Sequence, residues 1–172
     1  QSKELSKDIP PTYICVDNDE VFEQMKAEFV VSPLVAIDTE TDGLDPMQCG
    51  LVGLCLAAVD SAENLGKDKT DCSEYTVSKG YYIPLGHTDD IGLPLNVGKG
   101  GNFDFEKTKK WFVEFWINSC GITGCDNGCD NECDNGCDNG GINGTPRRQI
   151  IFHNAKFDLH VMMRSFGITQ EQ

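Results

Sequence analysis

Two acidic residues, Asp38 and Glu40, interrupt an apolar, β-prone stretch over residues 35–44. Side chains two positions apart on an extended strand leave the same face, so the two carboxylates share one face, while Val35 and Ile37 anchor the other. Carboxylates held this close repel each other unless they share a proton or bind a cation, and such ligands suit Mg²⁺, Mn²⁺ or Ca²⁺. The pattern therefore predicts half of a metal site. The alternative is a strand end whose acids face water.

Composition narrows the class of protein. A chain of 172 residues with 39% hydrophobic residues fits one globular domain. The formal charge of −14 argues against capture of nucleic acid by a large basic surface, so a nucleic-acid partner would require metals or a neighbouring domain. No apolar run approaches the roughly 20 residues that span a bilayer, and the first residues do not form a signal sequence. We expect a soluble, intracellular protein without membrane partners.

Alternating β-prone runs and amphipathic segments predict an α/β fold. Helical spacing predicts one apolar face with Phe105, Phe112, Phe115 and Trp116, and a second with Phe157, Val161 and Met162. Asp17 is the predicted cap of the first helix, because Glu20 follows three residues later as in a capping box. Three strands in succession predict an antiparallel meander, and Pro84 marks the end or the edge of the third. Gly167 is a natural stop for the last helix. In chain order the predicted elements are a strand over 13–16, a helix to about 29, strands over 34–40, 51–59 and 80–87, a helix over 103–118, a strand over 149–152 and a helix over 155–166.

The nine cysteines are unevenly distributed. Cys15, Cys49 and Cys55 stand beside apolar residues and are predicted to be small core side chains. A tandem repeat of Cys-Asp-Asn-Gly type runs through residues 124–140, and its composition predicts a solvated low-complexity insertion at about 119–145. Adventitious metal binding and disulfides are the alternatives, although the uniform spacing matches neither zinc nor EF-hand patterns. The clustered cysteines are Cys120, Cys125, Cys129, Cys133 and Cys137.

A third acid, Asp158, stands in the first turn of the last predicted helix, after a strand and a short polar turn. A helix N-terminus favours an ionised carboxylate, which suits a metal ligand. An ordinary acid of a helix N-terminus is the alternative. An Asp-x-Glu strand followed by an Asp at a helix start is the arrangement expected for carboxylates that surround two cations.

These segments resemble a known family. Residues 37–44 (Ile-Asp-Thr-Glu-Thr-Asp-Gly-Leu) resemble the first motif of the DEDD-type 3′-5′ exonucleases, and residues 153–158 (His-Asn-Ala-Lys-Phe-Asp) resemble the second. Residues 80–87 look like a strand in the proofreading domain of family A, polymerase I-like, DNA polymerases. The resemblance covers about residues 12–168 apart from the repeat. It implies an RNase H-like α/β fold, with a mixed central sheet and helices on both sides.

The resemblance also implies a site. Asp38, Glu40 and Asp158 look like three of four acids that hold two Mg²⁺ or Mn²⁺ ions. The fourth acid is missing, because residues 159–172 contain no Asp and only Glu171, so we expect a C-terminally truncated domain or one that has lost this acid. Thr41 and Leu44 match positions that touch the terminal nucleotide, and Asn154 and Phe157 match substrate contacts. Candidates for backbone phosphate contacts, with a solvated basic face as the alternative, are Lys156, His153, Arg147 and Arg148.

The expected activity is proofreading: hydrolysis of the last phosphodiester at a single-stranded DNA 3′ end. The expected partner is a polymerase domain in the same chain, with residues 1–172 forming a partial exonuclease domain. The alternatives are an RNA-trimming relative with the same acids and a catalytically silent scaffold beside a polymerase domain. An intracellular location is expected, in a plastid or mitochondrion if the source is a protist.

Overall fold

The computed structural model describes residues 12–59, 77, 79–120 and 149–168. The predicted insertion, from residue 121 onward, lies outside the described residues, as do Arg147, Arg148 and Glu171. Residues 119 and 120, which we expected to begin the insertion, instead end a helix.

The described elements follow the predicted order of strands and helices. None of the described helices combines the length and apolar character needed to cross a membrane. The elements are β1 (Thr12–Cys15), α1 (Asp19–Val31), β2 (Leu34–Thr41), β3 (Leu51–Ala58), β4 (Lys79–Pro84), α2 (Phe105–Cys120), β5 (Gln149–Phe152) and α3 (Ala155–Phe166).

The strands form one five-stranded mixed sheet in the order β1-β4-β3-β2-β5. The predicted meander is confirmed, because β2 pairs antiparallel with β3 and β3 pairs antiparallel with β4. The outer strands β1 and β5 add parallel to β4 and β2. Pro84 ends β4, and β4 is an inner strand. The acid-bearing strand β2 is also an inner strand, with hydrogen bonds to β3 on one side and β5 on the other.

One face of the sheet carries the hydrophobic core. Every second residue of β2 is buried there, including Val35 and Ile37. All three described helices contribute side chains to the same core. Aromatic rings also contact each other between helix and sheet, as Phe29 of α1 and Tyr81 of β4 do. The predicted apolar faces of α2 and α3 are confirmed, with Trp111 as an additional core residue. Their core residues include Phe112 and Phe115 of α2 and Val161, Met162 and Phe166 of α3.

Among the described residues no helix covers the opposite face of the sheet, which we call the open face. Residues paired across neighbouring strands share a face, and the row through Asp38 runs from Cys55 to Tyr82 and Cys15. A shallow cavity of about 710 Å³ lies over this face, lined by strand residues and by His153, which follows β5. The second helical layer that the resemblance implies is thus not among the described residues.

This one-sided arrangement corrects two cysteine predictions. Cys49 is buried as predicted, but Cys15 is exposed and Cys55 only partly buried. Both belong to the open face, where apolar neighbours in the sequence do not bring burial.

Capping residues fix the start of α1 and the end of α3. The predicted cap Asp17 was wrong by one residue, because Asn18 is the cap and accepts a hydrogen bond from the Val21 N–H at 3.1 Å. Asp17 instead accepts from the Gly100 N–H at 2.9 Å. Gly167 ends α3 as predicted, with a left-handed φ of 73° that disfavours other residues.

Candidate functional site

Asp38 and Glu40 lie near the carboxyl end of β2, on the open face, as the two-residue spacing predicted. Asp38 stands opposite Cys55 and Glu40 opposite Gly53 on β3. Both acids are exposed. The residue between them, Thr39, points the other way and is buried.

Asp158 lies in the first turn of α3 and is only 1% exposed. Its Oδ1 accepts two hydrogen bonds from Thr39, one from the backbone N–H at 3.0 Å and one from Oγ1 at 2.7 Å. Its Oδ2 is buried and has no hydrogen-bond partner in the described residues. Since buried carboxylate oxygens are nearly always paired, this unpartnered oxygen calls for an explanation.

One cavity of about 650 Å³ brings the two acidic motifs together. Asp38, Glu40 and Asp158 line it, and so do four of the five residues predicted to contact the substrate. These are Thr41, Leu44, Asn154 and Phe157. Leu44 is 95% exposed, so its side chain is available to a ligand. The individual roles of these residues remain predictions.

Two predicted basic contacts lie elsewhere. Lys156 is exposed on the first turn of α3 and does not line the acidic cavity. His153 lines the shallow cavity over the open face. The described lining of the acidic cavity therefore contains carboxylates without a cationic side chain.

The acids repel one another in this arrangement. Partial burial raises the pKa of Asp38 above its ordinary value, and the nearby charges of Asp158 and Glu40 raise it further. His153 acts in the opposite direction. A bound cation would relieve this repulsion.

The donor chemistry fits Mg²⁺ or Mn²⁺, because four carboxylates, those of Asp38, Glu40, Asp42 and Asp158, line one cavity. A buried oxygen of Asp158 also lacks a hydrogen-bond partner among the described residues. Within the described part of the chain, however, no three His, Cys, Asp or Glu side chains are gathered closely enough to hold a metal ion. Carboxylates suited to a metal ion are therefore present in the cavity, but the described side chains are not arranged as a coordination sphere.

Sequence patterns did not indicate several side chains that the fold places beside the acids. Besides Thr39, Cys55 donates from Sγ to Glu40 Oε1 at 3.6 Å, and Tyr82 Oη lies 2.6 Å from His87 Nε2. Burial, with the charge and hydrogen bond of Glu40, raises the pKa of Cys55 to about 11. Burial, with Cys55 and Glu40, raises the pKa of Tyr82 to about 12. The alternation of β2 was the one signal that could have placed Thr39 opposite the acids.

Two solved structures resemble the chain. One is the EXO domain of Aedes aegypti Nibbler, at 10% identity and a TM-score of 0.46, covering 98% of this chain and 51% of that one. The other is a chain in the structure of the yeast NOT1 MIF4G domain with CAF1, at 12% identity and a TM-score of 0.52, covering 92% of this chain and 62% of that one. The chain thus spans about half to three fifths of their lengths, and the second likeness shows a shared mixed α/β fold.

No protein-family model matches the sequence. No curated protein matches it either.

Proposed function

We propose that the chain is a metal-dependent 3′-5′ exonuclease domain with an RNase H-like fold. The observation that carries the proposal is the shared cavity of Asp38, Glu40 and Asp158, together with a buried oxygen of Asp158 that has no hydrogen-bond partner among the described residues. Hydrolysis of a phosphodiester by an acidic domain requires cations, because carboxylates alone repel the phosphate. The motif resemblance supports the reaction class. The cavity supports a common position for the three acids.

The residues of the cavity have distinct proposed roles. Asp38, Glu40 and Asp158 would hold two Mg²⁺ or Mn²⁺ ions, which supply an activated water and stabilise the departing 3′ oxygen. Thr41 and the exposed Leu44 line the cavity and would contact the terminal nucleotide. Asn154 and Phe157 also line it and would orient the preceding phosphodiester. The Thr41 hydroxyl already donates to the Gly43 carbonyl at 2.8 Å, which fixes its rotamer.

The finer assignment is a proofreading domain that acts on single-stranded DNA beside a polymerase domain of the same chain. Residues 80–87, which resemble a strand of family A proofreading domains, support this choice. Lys156 is exposed near the second motif, where it would contact backbone phosphates.

A specific observation favours a second candidate, a catalytically silent scaffold that keeps the fold. The described acids do not form a three-ligand metal group. A scaffold of this kind would bind no divalent cation at these acids and would degrade no nucleic acid.

The test uses the full-length protein, because residues 159–172 contain no Asp that could be the fourth acid implied by the resemblance. It is incubated with 5′-labelled single-stranded DNA and RNA oligonucleotides in Mn²⁺. We expect stepwise shortening from the 3′ end with release of mononucleotides, and Asp38→Asn should reduce the rate by at least about 100-fold, since catalytic ligands dominate such reactions. Glu114→Gln, which removes one charge from an exposed position on α2, is the matched control and should keep full activity.

Mn²⁺ binding, measured by electron paramagnetic resonance of the free ion, separates the two candidates. Binding that Asp38→Asn weakens and Glu114→Gln leaves unchanged supports the exonuclease. Absence of both binding and degradation identifies the scaffold. Faster degradation of RNA than of DNA would reject the proofreading assignment while keeping the nuclease.

A further inference from the structure

Thr39, the middle residue of the Asp-x-Glu motif, lines the acidic cavity and forms hydrogen bonds with the second acidic motif. It is only 8% exposed, on the face of β2 opposite Asp38 and Glu40. Both of its hydrogen-bond donors reach the same atom, Asp158 Oδ1, at 3.0 Å from the backbone N–H and 2.7 Å from Oγ1. One residue thereby joins the strand that carries two acids to the helix that carries the third.

These two hydrogen bonds determine the orientation of the Asp158 carboxylate. Its backbone is fixed by α3, where its N–H donates to the Asn154 carbonyl at 3.1 Å. Its side chain is fixed at Oδ1 by Thr39, and Oδ2 is buried with no hydrogen-bond partner among the residues that the structure describes. A carboxylate held at one oxygen in this way presents the other in a single direction.

We infer that Thr39 is a positioning residue that orients Asp158, so that Oδ2 is presented to a divalent cation in the acidic cavity. This inference rests on the proposed exonuclease function and deepens it. Partners that hold a metal ligand from behind typically change metal affinity by 10- to 100-fold when they are removed. Thr39 would act in this way although it touches neither cation nor substrate.

The test compares Thr39→Val with Thr39→Ser. Valine nearly matches threonine in shape and keeps the backbone N–H donor but lacks the hydroxyl, whereas serine keeps the hydroxyl. We expect Thr39→Val to weaken Mn²⁺ binding by about 10-fold or more. Thr39→Ser should bind within about threefold of the wild type, because the Oγ donor is restored. Nuclease rates measured across Mn²⁺ concentrations should recover at high Mn²⁺ in Thr39→Val.

The outcomes separate this inference from the proposed function. If the wild type binds Mn²⁺ and Asp38→Asn abolishes the binding, but Thr39→Val binds as the wild type does, the positioning role is wrong and the exonuclease proposal stands. If the wild type neither binds Mn²⁺ nor degrades DNA, both fail.

Folding is checked by thermal melting of each variant. Should Thr39→Val not fold, Thr39→Ala removes the hydroxyl without placing a second methyl group in the buried site, and the same affinity loss is expected. If both variants unfold while Thr39→Ser folds, Thr39 serves stability alone and the inference is overturned.

Discussion

The two faces of β2 differ in almost every property, although their residues alternate along one short segment. Val35, Ile37 and Thr39 are buried under the helices, whereas Asp38 and Glu40 stand on the open face. Asp38 and Glu40 on the open face need no hydrogen-bond donor from the protein, because water solvates them. Asp158, which approaches from the covered side, is buried and receives two hydrogen bonds from Thr39. One face of β2 therefore packs in the core and the other carries the two acids. Thr39, on the packed face, contacts the third acid, Asp158.

The largest expected effect compares two isoleucines on opposite faces. Ile37 is 2% exposed and packs in the core, while Ile151 on β5 is 44% exposed on the open face. Ile37→Ala should reduce the free energy of unfolding by about 2–5 kcal/mol, because it leaves a cavity in the core. Ile151→Ala, the matched control, should reduce it by less than about 1 kcal/mol. Urea denaturation measures both, and equal losses would contradict a one-sided core.

A smaller effect is expected from two glycines on the open face. A Cβ at Gly53 would lie 2.2 Å from Tyr82 Oη and 2.5 Å from the adjoining ring carbon, so the ring would have to move. Gly53→Ala should therefore break the contact between Tyr82 and His87 and reduce the free energy of unfolding by about 1–3 kcal/mol. Displaced Tyr82 ring signals in an NMR spectrum would report the broken contact.

Gly80→Ala is the control for this change. Its Cβ would meet Tyr13 at 3.2 Å, but the Tyr13 side chain is 82% exposed and can turn away. The free energy of unfolding should change by less than about 1 kcal/mol. If Gly53→Ala were as harmless as Gly80→Ala, the open face would be looser than the described contacts indicate.

Local patterns in the sequence were sufficient for much of this fold. The alternation of β2 predicted which side chains share the face of Asp38, and helical spacing predicted the buried positions Phe112 and Val161. The exposure of Cys15 and the partial exposure of Cys55 were not predictable, because they depend on which sheet face the helices cover.

The sequence was sufficient to group three acids of the candidate cavity, but not to predict their contacts. The sequence indicated Asp38, Glu40 and Asp158 as acids for one site, and they line one cavity. The bond between Thr39 and Asp158 joins residues 119 positions apart, so it depends on how α3 docks against β2. No periodicity within either motif contains that information.

The smallest expected effect concerns the pH dependence of stability, through Asp38. In an unfolded chain an aspartate loses its proton near pH 3.9. In the folded protein partial burial, Asp158 and Glu40 raise the pKa of Asp38, so the folded state binds more protons between the two pKa values. The free energy of unfolding contributed by this group therefore falls as the pH rises through that window, and the penalty is fully present above it.

Asp38→Asn should consequently raise the melting temperature at pH 7 in the absence of divalent cations, and the gain should shrink as the pH is lowered toward 4. Solvent screening at this exposed site limits the gain to a fraction of a kcal/mol. Glu114→Gln removes the same charge from α2 and should give no comparable gain. Added Mn²⁺ should raise the melting temperature of the wild type and not that of Asp38→Asn, because the variant lacks a carboxylate proposed to hold the cation. A wild type at pH 7 as stable as Asp38→Asn would mean that the acids on the open face do not repel, and would remove the electrostatic argument for a cation beside them.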